Sequence, residues 1–371
     1  DQLTKGLQFL MKKNRIEVVE GTGRFAAATE LVVETQTGER RLAAQDVVIA
    51  TGSYARGLPG VEFDGTRVLS SDHALRMERL PASAVVVGAG AVGLEFASMW
   101  HDLGVQVTLV EALPRIAPLE DPEVSQAIAR SFERRGIKVI AGAKLDLESI
   151  KAGAGGVRMS VEGAGELSAD VLLLAVGRGA VVEGIGLENT KVKVEKGLIV
   201  VDDDLRTAEP HVYAVGDVVG GYQLAHVAGH EGIHAVEVIT GKRPHPLDYN
   251  QMPRCTYSRP QIASVGLSEE QAKAAGVEIK VGKFPFSALG RAMINNDTEG
   301  FVKIVADAGS GEIIGTHMVG HGVTDIIAEP VLGQLLEGTA WELGLSVHAH
   351  PSLSEAVGEA AMAVDGMSIS T

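Results

Sequence analysis

Cysteine is nearly absent from this chain, since Cys255 is the only one among 371 residues. A single thiol excludes a disulfide within the chain, and such sparing use of cysteine is typical of proteins in a reducing compartment. The sequence therefore predicts a cytoplasmic protein. Its length is enough for two or three domains with large cores.

Positive charge and long apolar runs are scarce as well. Lys and Arg total 33 against 48 Asp and Glu, which gives a net charge of −15. This balance opposes binding to nucleic acid or to an anionic membrane. No apolar run is long enough to span a bilayer, and no signal peptide is recognisable. We therefore expect no nucleic-acid partner and no membrane partner, and the first residues read as the middle of a protein.

Glycine is abundant, with 45 residues, and its clearest motif follows a predicted strand at residues 84–87. Gly88, Gly90 and Gly93 have G-x-G-x-x-G spacing and open a predicted helix. The next strand ends at Glu111, which stands 18 positions after Gly93. This combination is the fingerprint of dinucleotide binding.

Each position of the fingerprint has a physical task. Gly88 allows the tight turn, Gly90 lets the backbone approach a pyrophosphate, and Gly93 lets helix and strand pack closely. The positive end of the helix favours the phosphates. Glu111 can accept the ribose hydroxyls and repels a 2′-phosphate, so the motif favours NAD over NADP. The alternative is a glycine-rich turn that binds no ligand.

Strands and helices alternate along much of the chain. Helices are predicted at residues 3–13, 92–103, 121–135, 223–240, 268–276, 325–337 and 354–363. Strands are predicted at residues 16–20, 30–35, 40–43, 46–50, 84–87, 106–110, 137–141, 170–176, 211–215, 300–305 and 311–319. The alternation predicts an α/β protein with a doubly wound parallel sheet, and the last two strands predict a hairpin in a C-terminal α+β domain.

Two further predicted strands end at polar residues next to a glycine. One runs into Thr51, Gly52 and Ser53, and the other into Gly216 and Asp217. Ligands in open α/β sheets lie beyond the carboxyl ends of strands, where a fixed carboxylate can bind a ribose or polyol. The alternative for Asp217 is that it only caps a turn.

Several motifs follow one another in a fixed order. They lie at residues 48–53 (VIATGS), 88–96 (GAGAVGLEF), 212–217 (VYAVGD), 224–226 (LAH), 253–257 (PRCTY) and 348–355 (HAHPSLSE). Together they resemble the pyridine nucleotide–disulfide oxidoreductase family along essentially the whole chain. The resemblance implies a Rossmann-type NAD domain at residues 80–180, the remainder of an FAD-type α/β domain at residues 1–79 and 181–250, and a dimerisation domain at residues 251–371.

The resemblance also implies residue roles. The residues implied in NAD binding are Gly88, Gly90, Gly93, Glu95, Glu111 and Gly177. Those implied in FAD binding are Thr51, Gly52, Ser53, Gly216, Asp217, Leu224, Ala225 and His226. His350 would be the acid–base for a dithiol, oriented by Glu355, and would serve the partner subunit's active site in a homodimer. The dithiol would be dihydrolipoamide on the lipoyl domain of a 2-oxoacid dehydrogenase complex.

The implied role of His350 agrees with thiol chemistry. A thiol has an ordinary pKa of about 8.5 and must lose its proton to react. A histidine that hydrogen-bonds to a carboxylate can take that proton near neutral pH. Glu355 has an alternative role, because residues 352–355 also match a capping box that would close the start of a helix.

The family pattern is incomplete in this sequence. Family members begin with an FAD-binding strand, a first G-x-G-x-x-G and a redox-active C-x₄-C, none of which is present here. Cys255 belongs to the motif at residues 253–257 and not to a redox pair. We therefore expect a truncated form that does not oxidise dihydrolipoamide by itself. The alternative is a non-catalytic NAD-binding and dimerising remnant.

A different class of function is suggested by one short motif. His230, Glu231 and His234 match H-E-x-x-H, the signature of zinc proteases, and His226 extends the series by one turn. Gly232 within the motif disfavours a helix by roughly 1 kcal/mol. We therefore predict no metal site and keep the metalloprotease only as a remote alternative.

Overall fold

The structure is a computed structural model, and it describes residues 2–370. The α-helices are α1 Gln2–Lys13, α2 Ser71–Ala74, α3 Ala91–Asp102, α4 Pro122–Arg135, α5 Ala225–Ile239, α6 Glu269–Ala274, α7 Gly290–Ile294, α8 Val323–Ile326, α9 Ala328–Leu335, α10 Ala340–Leu345 and α11 Glu355–Ala363. Among the described residues, no helix is both long enough and apolar enough to cross a membrane.

The strands form seven sheets of two to five strands over the described part of the chain. They are β1 Thr22–Ala27, β2 Glu30–Thr35, β3 Gly38–Ala43, β4 Val47–Ile49, β5 Ser53–Ala55, β6 Val68–Leu69, β7 Ser83–Val87, β8 Gln106–Glu111, β9 Lys138–Ala141, β10 Leu145–Gly153, β11 Gly156–Val161, β12 Gly165–Ala169, β13 Val171–Leu174, β14 Arg178–Ala180, β15 Val194–Glu195, β16 Leu198–Ile199, β17 Val212–Ala214, β18 Arg254–Thr256, β19 Gln261–Gly266, β20 Ile279–Pro285, β21 Gly300–Asp307 and β22 Ile313–Gly320.

The chain divides into two compact units. The first combines the chain up to Tyr54 with Gly179–Leu247. In it, β4 and β17 pair in parallel, with Val47 beside Val212. Because the carboxyl ends of parallel strands lie at one edge, the residues that follow these two strands are neighbours. The sequence-predicted strand at residues 16–20 is wrong: those residues form no regular structure, and β1 follows them instead.

The second unit contains Ala55–Arg178 and the chain from Asp248 onward. Its parallel sheet has the order β6-β13-β7-β8-β9, and α3 and α4 connect successive strands. The strands of this sheet are apolar because both of its faces are covered. Trp100 and Phe132 from the two helices pack on one face, and β11, with Met159, packs on the other. The predicted doubly wound α/β architecture is confirmed.

An antiparallel sheet of β10, β11 and β12 also lies in the second unit, and the sequence did not predict it. Its first hairpin turns between Gly153 and Gly156, which pair with each other. The exposed side chains of β10 are polar or small, so the strand lacks the continuous apolar run by which the buried strands were predicted.

The C-terminal part of the second unit is an α+β structure, as predicted. Its antiparallel sheet has the order β18-β19-β22-β21-β20, and the predicted hairpin is β21 with β22. The single helix predicted at residues 325–337 is instead two helices, α8 and α9. Pro330 lies in the first turn of α9, where its missing N–H breaks the hydrogen-bond series. The four-part domain division of the sequence stays a prediction.

A polar row crosses this sheet. Arg254, Ser264, His317, Lys303 and Lys283 lie side by side on successive strands. The three basic residues of the row pair with acidic residues at the beginning of α4. The pairs are Arg254 with Glu120, Lys303 with Asp121 and Lys283 with Glu123. The row therefore attaches the C-terminal sheet to the parallel-sheet part of the same unit.

Candidate functional site

The glycine loop after β7 has the geometry that the sequence predicts. Gly88 has a φ of +97°, and a Cβ there would lie 2.3 Å from the carbonyl oxygen of Ala175. A Cβ on Gly93 would lie 1.8 Å from the carbonyl oxygen of Gly88. Both contacts are far too short for a side chain, so these two positions need glycine to let strand and helix pack.

Gly90 differs from its two neighbours in the motif. A Cβ built on it meets no atom within 4 Å, so the space above this residue is open. Gly90 is the N-cap of α3 and supplies no side-chain cap, which leaves N–H groups of the first turn free to bind an anion. The open space and the helix end fit a pyrophosphate.

Gly90→Ala should therefore weaken NADH binding without weakening the fold. Its φ of −75° suits alanine, and the added methyl would enter the space of the ligand. We expect a loss of about 1–3 kcal/mol, which is roughly 5- to 150-fold in Kd, measured by calorimetric titration with NADH. Gly153→Ala is the matched control, because Gly153 is also open and is distant in the sequence. Equal loss in both variants would contradict the assignment.

Glu111 is the last residue of β8, and it is buried beside the glycine loop that follows β7. Its Oε2 accepts a hydrogen bond of 2.7 Å from Ala89 N, and its Oε1 accepts one of 2.8 Å from Leu113 N. Each carboxylate oxygen keeps a lone pair for a further donor. The carboxylate is thus fixed by two backbone groups and can still accept ribose hydroxyls. Gly177, at a φ of +107°, is open as well.

Glu95 lies on the first turns of α3 and is half-buried. Its Oε1 accepts a hydrogen bond of 2.9 Å from Tyr257 N. Cys255 stands two residues earlier, and burial, with smaller contributions from Glu120 and Asp325, raises its thiol pKa to about 11. A thiol with so high a pKa is a poor nucleophile at neutral pH, which agrees with the prediction that Cys255 is not a redox cysteine.

The two polar strand ends of the first unit lie together. Ser53, after β4, donates its hydroxyl to the carboxylate of Asp217, after β17. Gly216 has a φ of +76°, and its N–H donates to Oε2 of Glu231 over 2.6 Å. Thr51 donates its hydroxyl to the carbonyl oxygen of Val181 over 2.7 Å. The arrangement holds a carboxylate at a strand end, where FAD-type ligands bind in such sheets.

The helix beside this edge begins at Leu224, its N-cap, followed by Ala225 and His226. No side chain caps its first turn, and Ala225 and His226 are exposed, so its N-terminus can bind a phosphate. Glycine turn, fixed carboxylate and uncapped helix together fit the polar part of FAD.

In the structure, the residues of the H-E-x-x-H motif make contacts other than those of a zinc site. Glu231 binds the N–H of Gly216, and His234 is buried with Nε2 3.5 Å from Asp204 Oδ1. His226 and His230 are exposed instead. Among the described residues, no cluster of three or more His, Cys, Asp or Glu side chains has the geometry of a metal site. Sequence reasoning gave Glu231 a catalytic alternative and missed its contact with the glycine turn.

His350 and Glu355 form the pair that the sequence predicts. His350 Nδ1 lies 2.8 Å from Glu355 Oε1, and Glu355 Oε2 accepts a hydrogen bond of 2.8 Å from Ser352 N. Glu355 therefore contacts the imidazole. The alternative capping box is not formed: Ser354 is the N-cap of α11, no side chain caps the helix, and only the bond from Ser352 N to Glu355 is present. The side chain of His350 is 78% exposed, so the imidazole is accessible from solvent.

The Glu355 carboxyl has a pKa below its ordinary value. Burial would raise the pKa, but three influences outweigh it: the Ser352 N–H, the hydrogen bond and charge of His350, and the charge of His348. The carboxylate is therefore ionised throughout the neutral range and can stabilise a protonated His350.

Family models cover almost the whole chain. One, described as pyridine nucleotide-disulphide oxidoreductase, matches residues 1–232, and a second, described as the dimerisation domain of the same family, matches residues 252–361. The chain belongs to this family. It is accordingly an oxidoreductase that uses FAD and NAD, and its C-terminal domain is of the kind that forms homodimers.

Individual proteins similar to this chain belong to the same family. Dihydrolipoyl dehydrogenase of Bacillus subtilis is 48% identical over 100% of this chain and 80% of that relative. The enzyme of the same name from Zymomonas mobilis is 41% identical over 99% and 80% of the two chains. Among solved structures, LpdA from Mycobacterium tuberculosis has a TM-score of 0.89 at 26% identity, over 97% of this chain and 80% of that chain.

Proposed function

We propose that this chain serves a flavin-dependent dihydrolipoamide:NAD⁺ oxidoreductase, which converts a dithiol into a disulfide and NAD⁺ into NADH. The observation that carries the proposal is the His350–Glu355 pair. The side chain of His350 is 78% exposed, and the imidazole is hydrogen-bonded over 2.8 Å at Nδ1. A dithiol must lose protons as it is oxidised, and a histidine so oriented is the group that accepts one.

The proton geometry follows from the two nitrogens of His350. With Nδ1–H donated to Glu355, Nε2 keeps its lone pair and is the basic atom. When Nε2 accepts the proton of the thiol, His350 becomes an imidazolium, which the neighbouring carboxylate of Glu355 stabilises. The loss of the proton leaves a thiolate, the reactive form of sulfur.

The cofactor-binding residues are assigned by the same proposal. Those that would hold NAD are Gly88, Gly90, Gly93, Glu95, Glu111 and Gly177. Those that would hold FAD are Thr51, Gly52, Ser53, Gly216, Asp217, Leu224, Ala225 and His226. When bound, the two cofactors supply hydride transfer. The protein would supply the fixed carboxylate of Glu111 for the ribose, the open phosphate site at Gly90, and the carboxylate of Glu95 for the NAD site.

The partners are proposed from the substrate and the family. In the homodimer, His350 and Glu355 would serve the active site of the other subunit. The lipoyl domain of a 2-oxoacid dehydrogenase complex would present the dithiol to the exposed imidazole. A cytoplasmic location stays a prediction that rests on the single cysteine.

The proposal predicts which part of the reaction these 371 residues perform. Because they contain one cysteine, no internal disulfide can relay electrons, and we expect no dihydrolipoamide-dependent NADH formation by the purified, FAD-supplemented chain. A chimera that adds the part of the Bacillus subtilis relative that this chain does not match should form NADH, followed at 340 nm. The same chimera with alanine at both cysteines of C-x₄-C is the control.

The outcomes separate two functions. A chimera that binds FAD and NADH yet lacks dithiol turnover would contradict the proposal and favour a non-catalytic NAD-binding and dimerising module. The raised pKa of Cys255 and the presence of a single cysteine also support that alternative. Normal turnover by the chain alone would show that a redox disulfide is dispensable, and would contradict the relay.

A further inference from the structure

A second histidine–carboxylate pair lies next to His350 in the chain. His348 Nε2 is 2.6 Å from Glu329 Oε1. The side chain of His348 is 10% exposed, whereas that of His350 is 78% exposed. His348 is therefore largely enclosed by the protein, whereas His350 is largely exposed, so the two histidines of one loop lie in different environments.

His348 also contacts the helix that begins with Glu355. Gly358 lies one turn farther along α11 and is buried. A Cβ on Gly358 would lie 2.8 Å from Cε1 and 2.9 Å from Nδ1 of His348. The ring thus packs against the backbone of α11 at a place where only glycine leaves room. Through Glu329 on α9 and Gly358 on α11, the ring joins two helices.

The loop between α10 and α11 depends on such contacts, because residues 346–354 form no helix or strand. His350 and Ser352 are attached to Glu355, and His348 is attached to Glu329 and packed on Gly358. The loop is therefore held on both sides of Ala349, and the position of the His350 ring relative to Glu355 follows from both attachments.

We propose that His348 is a positioning residue, which holds the loop between α9 and α11 and thereby fixes the His350–Glu355 hydrogen bond. The kinetic consequence rests on the proposed function, whereas the geometric consequence does not. His348 is enclosed and touches no substrate. Its removal releases the loop and lets the His350 imidazole turn away from the carboxylate.

The test is imidazole NMR on histidine-labelled full chain, which reports the tautomer of His350 without turnover. In the unaltered protein, His350 should be protonated at Nδ1. His348→Asn and Gly358→Ala should each give a mixture of the two tautomers. Glu329→Gln, which keeps an oxygen acceptor for Nε2–H, should disturb His350 less than Glu329→Ala. Glu342→Gln is the control, because Glu342 only caps α10 through Thr339.

The kinetic readout uses the dithiol-competent chimera. His348→Asn should lower kcat for dihydrolipoamide by about 10- to 100-fold, the size expected for a misplaced catalytic group, and should leave KM for NAD⁺ within about twofold. If the His350 tautomer is unchanged in both His348→Asn and Glu329→Ala, the inference is wrong, whether or not Gly358→Ala folds. A shifted tautomer without dithiol turnover in any variant would support the positioning role and contradict the proposed function.

Discussion

Lys303→Ala is expected to lower the free energy of unfolding by about 3–5 kcal/mol. The side chain of Lys303 is 2% exposed, and its Nζ lies 3.1 Å from Asp121 Oδ2, 2.9 Å from Glu123 Oε2 and 2.8 Å from Glu269 Oε2. Asp121 is fully buried. Truncation of the lysine would leave that charge in the interior without its cation, which is the costly way to break a buried pair.

Lys273→Ala is the matched control for this prediction. Lys273 Nζ lies 2.5 Å from Glu269 Oε1, the other oxygen of a carboxylate that Lys303 binds, but the lysine side chain is 61% exposed. Exposed pairs contribute only about 0–1 kcal/mol. Denaturant unfolding of both variants measures the difference. If the two variants lose equal free energy of unfolding, burial does not determine how much the ion pairs of Lys303 with Asp121, Glu123 and Glu269 stabilise the fold.

Two further variants separate charge from packing. Lys303→Met keeps most of the buried volume, so a loss close to that of Lys303→Ala would come from the unpaired carboxylate. Addition of Asp121→Asn to Lys303→Met should then recover a large part of the stability, although Asp121 also accepts from Glu123 N as the N-cap of α4. No recovery would show that packing of the lysine stem dominates.

The cluster also predicts how stability depends on pH. Hydrogen bonds from Lys273 and Lys303 lower the pKa of Glu269 to about 2, although burial acts in the opposite direction. A folded pKa below the ordinary value stabilises the folded state when the group is ionised in both states. That contribution is complete above about pH 4.5 and is lost as the pH falls toward 2. Part of this acid sensitivity should be absent from Lys303→Ala.

What the sequence predicted well depends on short-range chemistry. Gly88 and Gly93 were assigned from a local motif of strand, glycine spacing and helix. Gly93 is explained by a backbone contact within its own turn, with Gly88, although Gly88 itself meets the backbone of the distant Ala175. The helix predicted from residue 268 does begin there, with a capping box from Ser268 to Gln271 that has both of its hydrogen bonds. These features need only a few residues in a fixed order, so a motif contains nearly all the information.

Features that depend on register or on distant helices were missed. Lys303 reads as an ordinary lysine in a strand, and its place opposite His317 and near Asp121 follows from sheet pairing across long separations. The contact between His348 and Glu329 joins residues 19 positions apart on different elements. A motif can also mislead, since Glu231 matched a protease signature while its carboxylate binds the turn at Gly216.

His350→Ala is expected to lower kcat for dihydrolipoamide oxidation by about 10²–10⁴-fold, the usual contribution of a general acid–base. The reason is geometric. The exposed ring is held at Nδ1 by a carboxylate 2.8 Å away, so Nε2 is the only basic atom it offers, and alanine removes it. The measurement is stopped-flow NADH formation by the dithiol-competent chimera, because the chain alone, with one cysteine, contains no redox disulfide.

Glu355→Gln refines this prediction. Glutamine can still accept from Nδ1–H but carries no charge, so it keeps the orientation of His350 and removes the stabilisation of the imidazolium. We expect a loss smaller than that of His350→Ala, and a stronger dependence of kcat on pH. NADH oxidation by ferricyanide is the control, since it takes no proton from a dithiol, and it should be unchanged in both variants. If both activities fall equally, the pair supports the fold and does not act on the dithiol.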